Sequence, residues 1–390
     1  MNYPARSSWL LLAPILAHTA AAAAPSGSVP FVLDGNRVYP EVEFIAPQGQ
    51  PRKALVFVDL GSPSMVVSNE LYEELNPGAN AVLDVRIGSM DIPMESRLVT
   101  NDVWFPFPIG KDRKVEGLLP AGILQKYQVT FDYAAQRMTV AKAGDATPRG
   151  TPVPFRLNAM TGLIAVEATI DGQTYPITID NGSGFTWIRK SAAQEWLARH
   201  PDWQRGTGAV GPSNMRMAED GIEAGGALLR IPEITLGSLR MQHAGVLAIG
   251  LDDQGHDFMD WYSTKNALPV IGWLGGNVLR HFRITIDYPQ KMSYWEPQSA
   301  LDVDDFDYVG LTLAWRHGEY YVAGIATQER STVKGVQVGD KLVQIGKLQT
   351  RGASREAIFA AMHGRPGEVR SLIIERAGIR STVRTRIAAF

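Results

Sequence analysis

Short runs in which apolar and polar residues alternate dominate this chain, each closed by Gly, Pro, Asn or Asp, the period-two signature of strands between turns. Strand signals fall at Val38–Phe44, Leu55–Val58, Val99–Phe105 and Val129–Tyr133, and again at Leu163–Ile170 and Tyr175–Ile179. The helical period appears in few places. The spacing predicts one helix over Ser191–Arg199, with Ser191 as N-cap and Pro201 past its end, and another over Ser354–Met362. A strand pair, Val369–Arg376 and Ile379–Ile387, comes after the second. A turn-rich stretch at Ala141–Pro152 and an acidic one at Asp302–Asp307 interrupt the pattern and suggest boundaries.

Within this pattern the chain repeats itself. Asp59-Leu60-Gly61-Ser62 and Asp180-Asn181-Gly182-Ser183 lie 121 positions apart, each after a strand-like run and each before an apolar pair, Val66-Val67 and Trp187-Ile188. Ile87-Gly88-Ser89-Met90 returns 149 positions later as Leu236-Gly237-Ser238-Leu239. Gly117–Leu124 returns as Gly272–Leu279, and Val129–Tyr133 as Ile284–Tyr288, both at an offset of 155. Four anchors in one order with growing offsets describe two related lobes, the second carrying insertions. Much of the extra length lies between Ile188 and Leu236, where the Gly-rich, apolar-poor stretch Arg205–Gly226 suits a mobile loop, either a flap closing from the second lobe or a disordered surface insertion.

Composition narrows the function classes. The 390 residues carry a formal net charge of −2, which gives no electrostatic case for nucleic acid or an anionic membrane as partner. There is no cysteine, so disulfides, thiolate metal sites and cysteine proteolysis are excluded. Arg6, the apolar run Trp9–Ala17 and the small residues Ala20–Ala24 read as a secretory signal peptide over 1–24, with an uncleaved membrane-resting helix as the alternative. No later window reaches the apolar length of a membrane span, so export without a span after signal removal, and a periplasmic location, are expected.

An aspartate at a strand end before Gly-Ser is one half of what a two-carboxylate hydrolytic site needs. Either Asp alone is ordinary turn chemistry; both, inside one repeat, point to Asp59 and Asp180 as a catalytic dyad. Two carboxylates held within a few ångströms share one proton over a wide pH range, so one activates a water while the other donates to a carbonyl oxygen. Gly61 and Gly182 allow close backbone approach, and Ser62 and Ser183 are placed to hydrogen-bond the outer carboxylate oxygens. No cofactor or metal is expected. Asp252, Asp253, His256, Asp257 and Asp260 share a loop but lack a metal-ligand spacing, and read as a solvated acidic surface.

The paired Asp-x-Gly-Ser strings, each followed by an apolar-Gly element, resemble the aspartic peptidases over residues ~30–297, and the closing run Gly272-Trp273-Leu274-Gly275 is similar to that of single-chain bacterial retropepsin-like proteins. Val338-Gly339-Asp340-Lys341-Leu342-Val343-Gln344-Ile345-Gly346 and the later Gly364, Gly367 and Gly378 resemble a PDZ domain, with Lys334 where that family has a small apolar residue. The resemblance implies an all-β bilobal aspartic-peptidase-like fold, with lobes at 29–143 and 153–297 and a cleft between them. An acidic linker at 298–308 and a small α+β PDZ-like domain at 309–390 complete the chain. It implies an endopeptidase of extended peptides, with a carboxylate-binding turn at Gly310, Leu311, Thr312 and Leu313 that recruits or gates peptide or protein substrates; the alternative for that turn is a β-bulge in an ordinary small domain. Leu60 and Asn181 depart from the family's Thr or Ser, whose hydroxyl stiffens the dyad across the lobe interface. They leave open a second function, a weak or inactive pseudo-peptidase acting as an exported peptide-binding scaffold.

Overall fold

The computed structural model describes residues 26–46, 50–77, 82–95, 99–102, 105–109, 113–144, 148–208, 222, 225–251, 254–327 and 333–390. The expected signal segment 1–24, and 209–221 and 223–224 of the expected flap, lie outside the described residues. Among those described, no helix is long and apolar enough to cross a membrane.

The architecture is mostly β. The first half runs β1 (Ser26–Asp34), β2 (Arg37–Ile45), β3 (Arg52–Asp59), β4 (Met65–Val67), α1 (Asn69–Leu75), β5 (Val82–Ile87), β6 (Met90–Glu95), β7 (Val99–Asn101), β8 (Phe107–Ile109), β9 (Arg113–Pro120), α2 (Ala121–Leu124), β10 (Tyr127–Asp132) and β11 (Arg137–Lys142). The second half opens and closes in the same order but differs between, with β12 (Thr151–Leu157), β13 (Ile164–Ile170), β14 (Gln173–Ile179), β15 (Thr186–Ile188), α3 (Lys190–Arg199), β16 (Gln204–Thr207), β17 (Ala227–Leu236), β18 (Leu239–Ala248), α4 (Phe258–Ser263), β19 (Gly272–Leu274), α5 (Gly276–Leu279), β20 (Phe282–Asp287) and β21 (Met292–Pro297).

In each half a long strand bearing an aspartate at its end runs parallel to a later strand that also pairs antiparallel with the short strand after the aspartate. β9 lies between β3 and β4 in this way, and β19 between β14 and β15. Gly117 and Gly272 sit where the later strand crosses: a methyl group on Gly117 would meet the Val66 carbonyl, one on Gly272 that of Trp187.

The halves join through one continuous antiparallel ladder, β1-β11-β10-β20-β21-β12. At its centre Thr130 pairs with Thr285, their hydroxyls 2.9 Å apart. These two threonines are also partners in the 155-residue repeat. In an antiparallel pair of copies, the residue that meets its own counterpart lies on the symmetry axis, so a near-twofold passes through this ladder. Each half also sends its first hairpin turn to the other. The two-residue turn Gly35-Asn36, both residues at positive φ as tight hairpins demand, packs on Gly184 and Gly276, while the 158–162 turn packs on Gly122.

Residues 311–386 form a separate sheet of β22 (Leu311–Arg316), β23 (Glu319–Ile325), β24 (Lys341–Ile345), β25 (Leu348–Gln349), β26 (Val369–Arg376) and β27 (Ile379–Arg386), with α6 (Arg355–Met362) and its own apolar core. Helix α6 is capped by Ser354, whose hydroxyl accepts the Ala357 N–H.

Several expectations need correction. The strand expected over Val99–Phe105 ends at Asn101, because its parallel partner β4 is only three residues long. Helix α3 starts one residue early, at Lys190, and its cap two residues early: the Arg189 N–H is taken by the Ile271 carbonyl, and Arg189, not Ser191, is the N-cap. Helix α1, capped by the Ser68 hydroxyl on the Leu71 N–H, occupies a stretch in which the sequence pattern showed no element.

The acidic linker is the largest departure. Asp305, Phe306, Asp307 and Tyr308 are buried. An acidic run reads as solvated because carboxylates seldom bury alone, but the second half supplies partners. Asp305 pairs with the buried Arg230 guanidinium at 2.6 Å and accepts from Asn277 Nδ2 at 2.9 Å. Phe306 stacks on Phe185 of the second half (5.3 Å between ring centres), while Tyr308 packs on Phe390 at the end of the C-terminal domain (4.8 Å). On the opposite side the Arg355 guanidinium lies 5.1 Å above the Phe107 ring of the first half. The C-terminal domain is fixed against both halves.

Asp305→Ala strands the buried Arg230 and should lower unfolding free energy by roughly 3–5 kcal/mol in urea denaturation, whereas a paired apolar replacement of Asp305 and Arg230 should recover most of that loss.

Candidate active site

The crossed-strand arrangement in each half ends its long strand at an aspartate and turns the next two residues inward. Asp59 ends β3, and Asp180 comes directly after β14. The near-twofold brings the two carboxyls together. A methyl group on Gly61 would run into the Asp180 carboxyl, and one on Gly182 into that of Asp59, so each half's glycine stands under the other half's aspartate. Only a residue without Cβ permits that approach.

Main-chain donors hold the carboxyls. Gly61 N–H reaches Asp59 Oδ1 at 2.9 Å, and Gly182 N–H reaches Asp180 Oδ1 at 2.8 Å. The Ser183 N–H also donates to Asp180. Asp180 is buried, while Asp59 is only partly so. Burial pushes both carboxyls above the usual range, Asp59 far above it, where the Asp180 charge and the bond between the two acids add to the effect. The physical content is one shared proton, because two carboxylates this close and this dry cannot both ionise cheaply. The Arg37 guanidinium pulls both in the opposite direction.

The serines do something other than expected. Ser62 Oγ donates to the Ser64 carbonyl at 3.0 Å and Ser183 Oγ to that of Phe185 at 2.7 Å, so each hydroxyl proton fixes its own turn and is not given to a carboxylate. The residues that replace Thr or Ser across the interface have distinct roles. The Leu60 side chain is buried in the main core, but its N–H donates to Asn181 Oδ1 at 3.2 Å. A contact across the halves therefore exists, in one direction and through main chain.

Behind the second aspartate a buried polar network holds the loop. Asn277 Oδ1 accepts from both the N–H and the hydroxyl of Thr186, and the Thr186 hydroxyl accepts the Gly275 N–H. Asn277 Nδ2 donates to the Gly245 carbonyl and to Asp305, which ties this loop to the segment anchoring the C-terminal domain.

Two further side chains reach the site and were not singled out from sequence. Arg37, first residue of β2, donates from Nε to the Gly182 carbonyl at 2.7 Å. Tyr262 on α4 donates to the Gly61 carbonyl at 3.2 Å. Both are buried, and both cross from one half to the other. Neither lies in a repeated string, so the internal symmetry that exposes the aspartates cannot expose them; a lone Arg beside a Gly-Asn turn was the available signal.

The other expected site residues lie away from the dyad. Gly310, Leu311, Thr312 and Leu313 are all buried, with a bulge between Thr312 and Leu313. The Leu311 N–H of the expected carboxylate-binding turn donates to the Val309 carbonyl, and the N–H of Val309, just before the turn, donates to the Met362 carbonyl, so both are used within the domain. In the acidic loop, Asp257 caps α4 and Asp260 pairs with Arg189, while 252 and 253 lie outside the described residues. Among the described residues no group of three or more His, Cys, Asp or Glu is arranged to hold a metal ion.

No protein-family model matches this chain, and none of the curated proteins does. Among solved structures, basic 7S globulin from soybean aligns over 71% of this chain and 96% of its own, at 11% identity and a TM-score of 0.40, a likeness too loose to carry an argument.

Because both carboxyls bind protons more tightly folded than unfolded, their contribution to stability is complete below the unfolded value of about 3.9 and is lost as pH rises through the elevated native values. Asp59→Asn should therefore gain on the wild type in melting temperature as pH is raised from about 4 to 8; parallel profiles would mean that the two acids do not interact.

Proposed function

We propose that the protein is an exported aspartic endopeptidase, a bilobal fold whose dyad, Asp59 and Asp180, activates a water for attack on a peptide carbonyl. The observation that carries this proposal is the mirrored packing of each aspartate against the glycine of the opposite half, with burial holding both carboxyls above the usual range and the Asp180 charge raising Asp59 further. The ionised member takes a proton from water, the protonated member donates to the carbonyl oxygen, and no covalent intermediate forms. The cross-half bond from the Leu60 N–H to Asn181 supplies part of the stiffness that a hydroxyl pair would give.

The C-terminal unit, read as PDZ-like, contributes to this function as a fixed wall of the body. Its burial of Phe306 and Tyr308, and the engagement of the Val309 and Leu311 N–H groups within the domain, support gating over the capture of a free chain terminus through that turn.

A second reading, a peptide-binding pseudo-peptidase, is favoured by one observation. The Leu60 side chain is buried in the core, so the interface has no hydroxyl pair.

Incubation of the purified protein with a peptide library between pH ~4 and 7 separates the two. Cleavage that falls by about 10²-fold or more in both Asp59→Asn and Asp180→Asn is the expected result. Peptide binding without cleavage in the wild type would identify the scaffold instead.

A further inference from the structure

We infer, resting on the aspartic dyad proposed above, that Arg37 and Tyr262 are positioning residues, a crossed pair of clamps that hold the two active-site turns in place of the missing hydroxyls. Each originates in one half and grips the other. Arg37 of the first half holds the Gly182 carbonyl at 2.7 Å, and Tyr262 of the second half holds the Gly61 carbonyl at 3.2 Å. Gly61 and Gly182 are counterparts in the repeat, so the same atom of each turn is restrained from the opposite side by unlike chemistry.

The consequence for the carboxyls comes from peptide planarity. The Gly182 carbonyl and the Ser183 N–H belong to one rigid unit, so fixing the oxygen aims the N–H, and that N–H donates to Asp180. The equivalent unit in the first half behaves differently: the Ser62 N–H goes to the Asp59 carbonyl at 3.2 Å, not to its side chain. Asp180 thus receives two main-chain donors where Asp59 receives the Gly61 N–H. The clamps impose an asymmetry on a nearly symmetric pair.

Arg37 adds charge as well as geometry. It is buried beside the Gly35-Asn36 turn. Its surroundings contain Tyr39 on its own strand, hydrogen-bonded to it, with Asp34 on β1 and Arg355 on α6 acting on the same tyrosine. The dyad itself faces Tyr262 from α4, and Tyr133, beyond the end of β10, faces Asp180. Both tyrosines are pushed up by burial and stay neutral, which leaves Arg37 as the cation acting on both acids. Removing a positive charge makes a carboxyl easier to protonate, so both limbs of the pH profile must move to higher pH.

The full-length protein carrying Arg37→Gln, Arg37→Lys or Tyr262→Phe tests this with peptide turnover measured across pH. Arg37→Gln should move both limbs up by at least about half a unit, and Arg37→Lys should leave them near the wild-type positions. Tyr262→Phe should lower kcat roughly 3- to 10-fold with KM little changed and the profile unmoved. Superimposable profiles for wild type and Arg37→Gln, or a wild-type kcat in Tyr262→Phe, overturn the inference. If Arg37→Gln does not fold, Arg37→Lys carries the test through kcat alone: a lowered value supports the clamp and an unchanged one overturns it. If the wild type cleaves nothing, the peptidase proposal fails by itself. The clamp is then read from melting temperature: Arg37→Gln must move to higher pH the point at which Asp59→Asn stops gaining on its parent, and an unmoved point overturns it.

Discussion

Two carboxyls forced into one poorly hydrated space repel each other as soon as both ionise, and the rest of this structure is arranged so that they stay together. Burial alone would neutralise both. Main-chain N–H groups from Gly61, Gly182 and Ser183 favour the ionised form, while the neighbouring acid and the loss of water oppose it. The balance favours one proton shared by the pair over two ionised carboxylates side by side.

Holding that balance requires rigidity across an interface, because the acids come from different halves. The shared ladder through Thr130 and Thr285 sets the axis, and the exchanged hairpin turns prevent the halves from sliding along it. Nearer the site, restraint passes to single bonds: Leu60 to Asn181, Arg37 to Gly182, Tyr262 to Gly61. These are unlike one another although the framework is nearly symmetric. Symmetry brings the acids together, and departures from it make them unequal.

The C-terminal domain belongs to the same system. Asn277 touches Thr186 behind the second aspartate on one side and Asp305 on the other, and Asp305 is held by Arg230. A shift of this domain would disturb a polar network buried at low dielectric, where partly satisfied groups are costly. From the other side Arg355 lies on Phe107, whose ring packs edge-on against Tyr39, the tyrosine bonded to Arg37. Contiguous contacts therefore run from the domain to both acids.

The repeated strings determined the two-half organisation, both aspartates, both glycines and the matched Thr130 and Thr285, because a duplicated framework leaves a duplicated pattern at every position whose geometry it constrains. Helix α6 was legible for a local reason, its apolar period, and the structure adds the Ser354 cap. Tertiary structure alone decided the burial of Asp305, because its neutralising partner Arg230 is 75 residues away in sequence. It also decided the use of the serine hydroxyls within their own turns, and the arrival of Arg37 and Tyr262 from 145 and 201 residues away. Side chains that act across an interface carry no period and no spacing; their partners exist only once the chain has closed on itself.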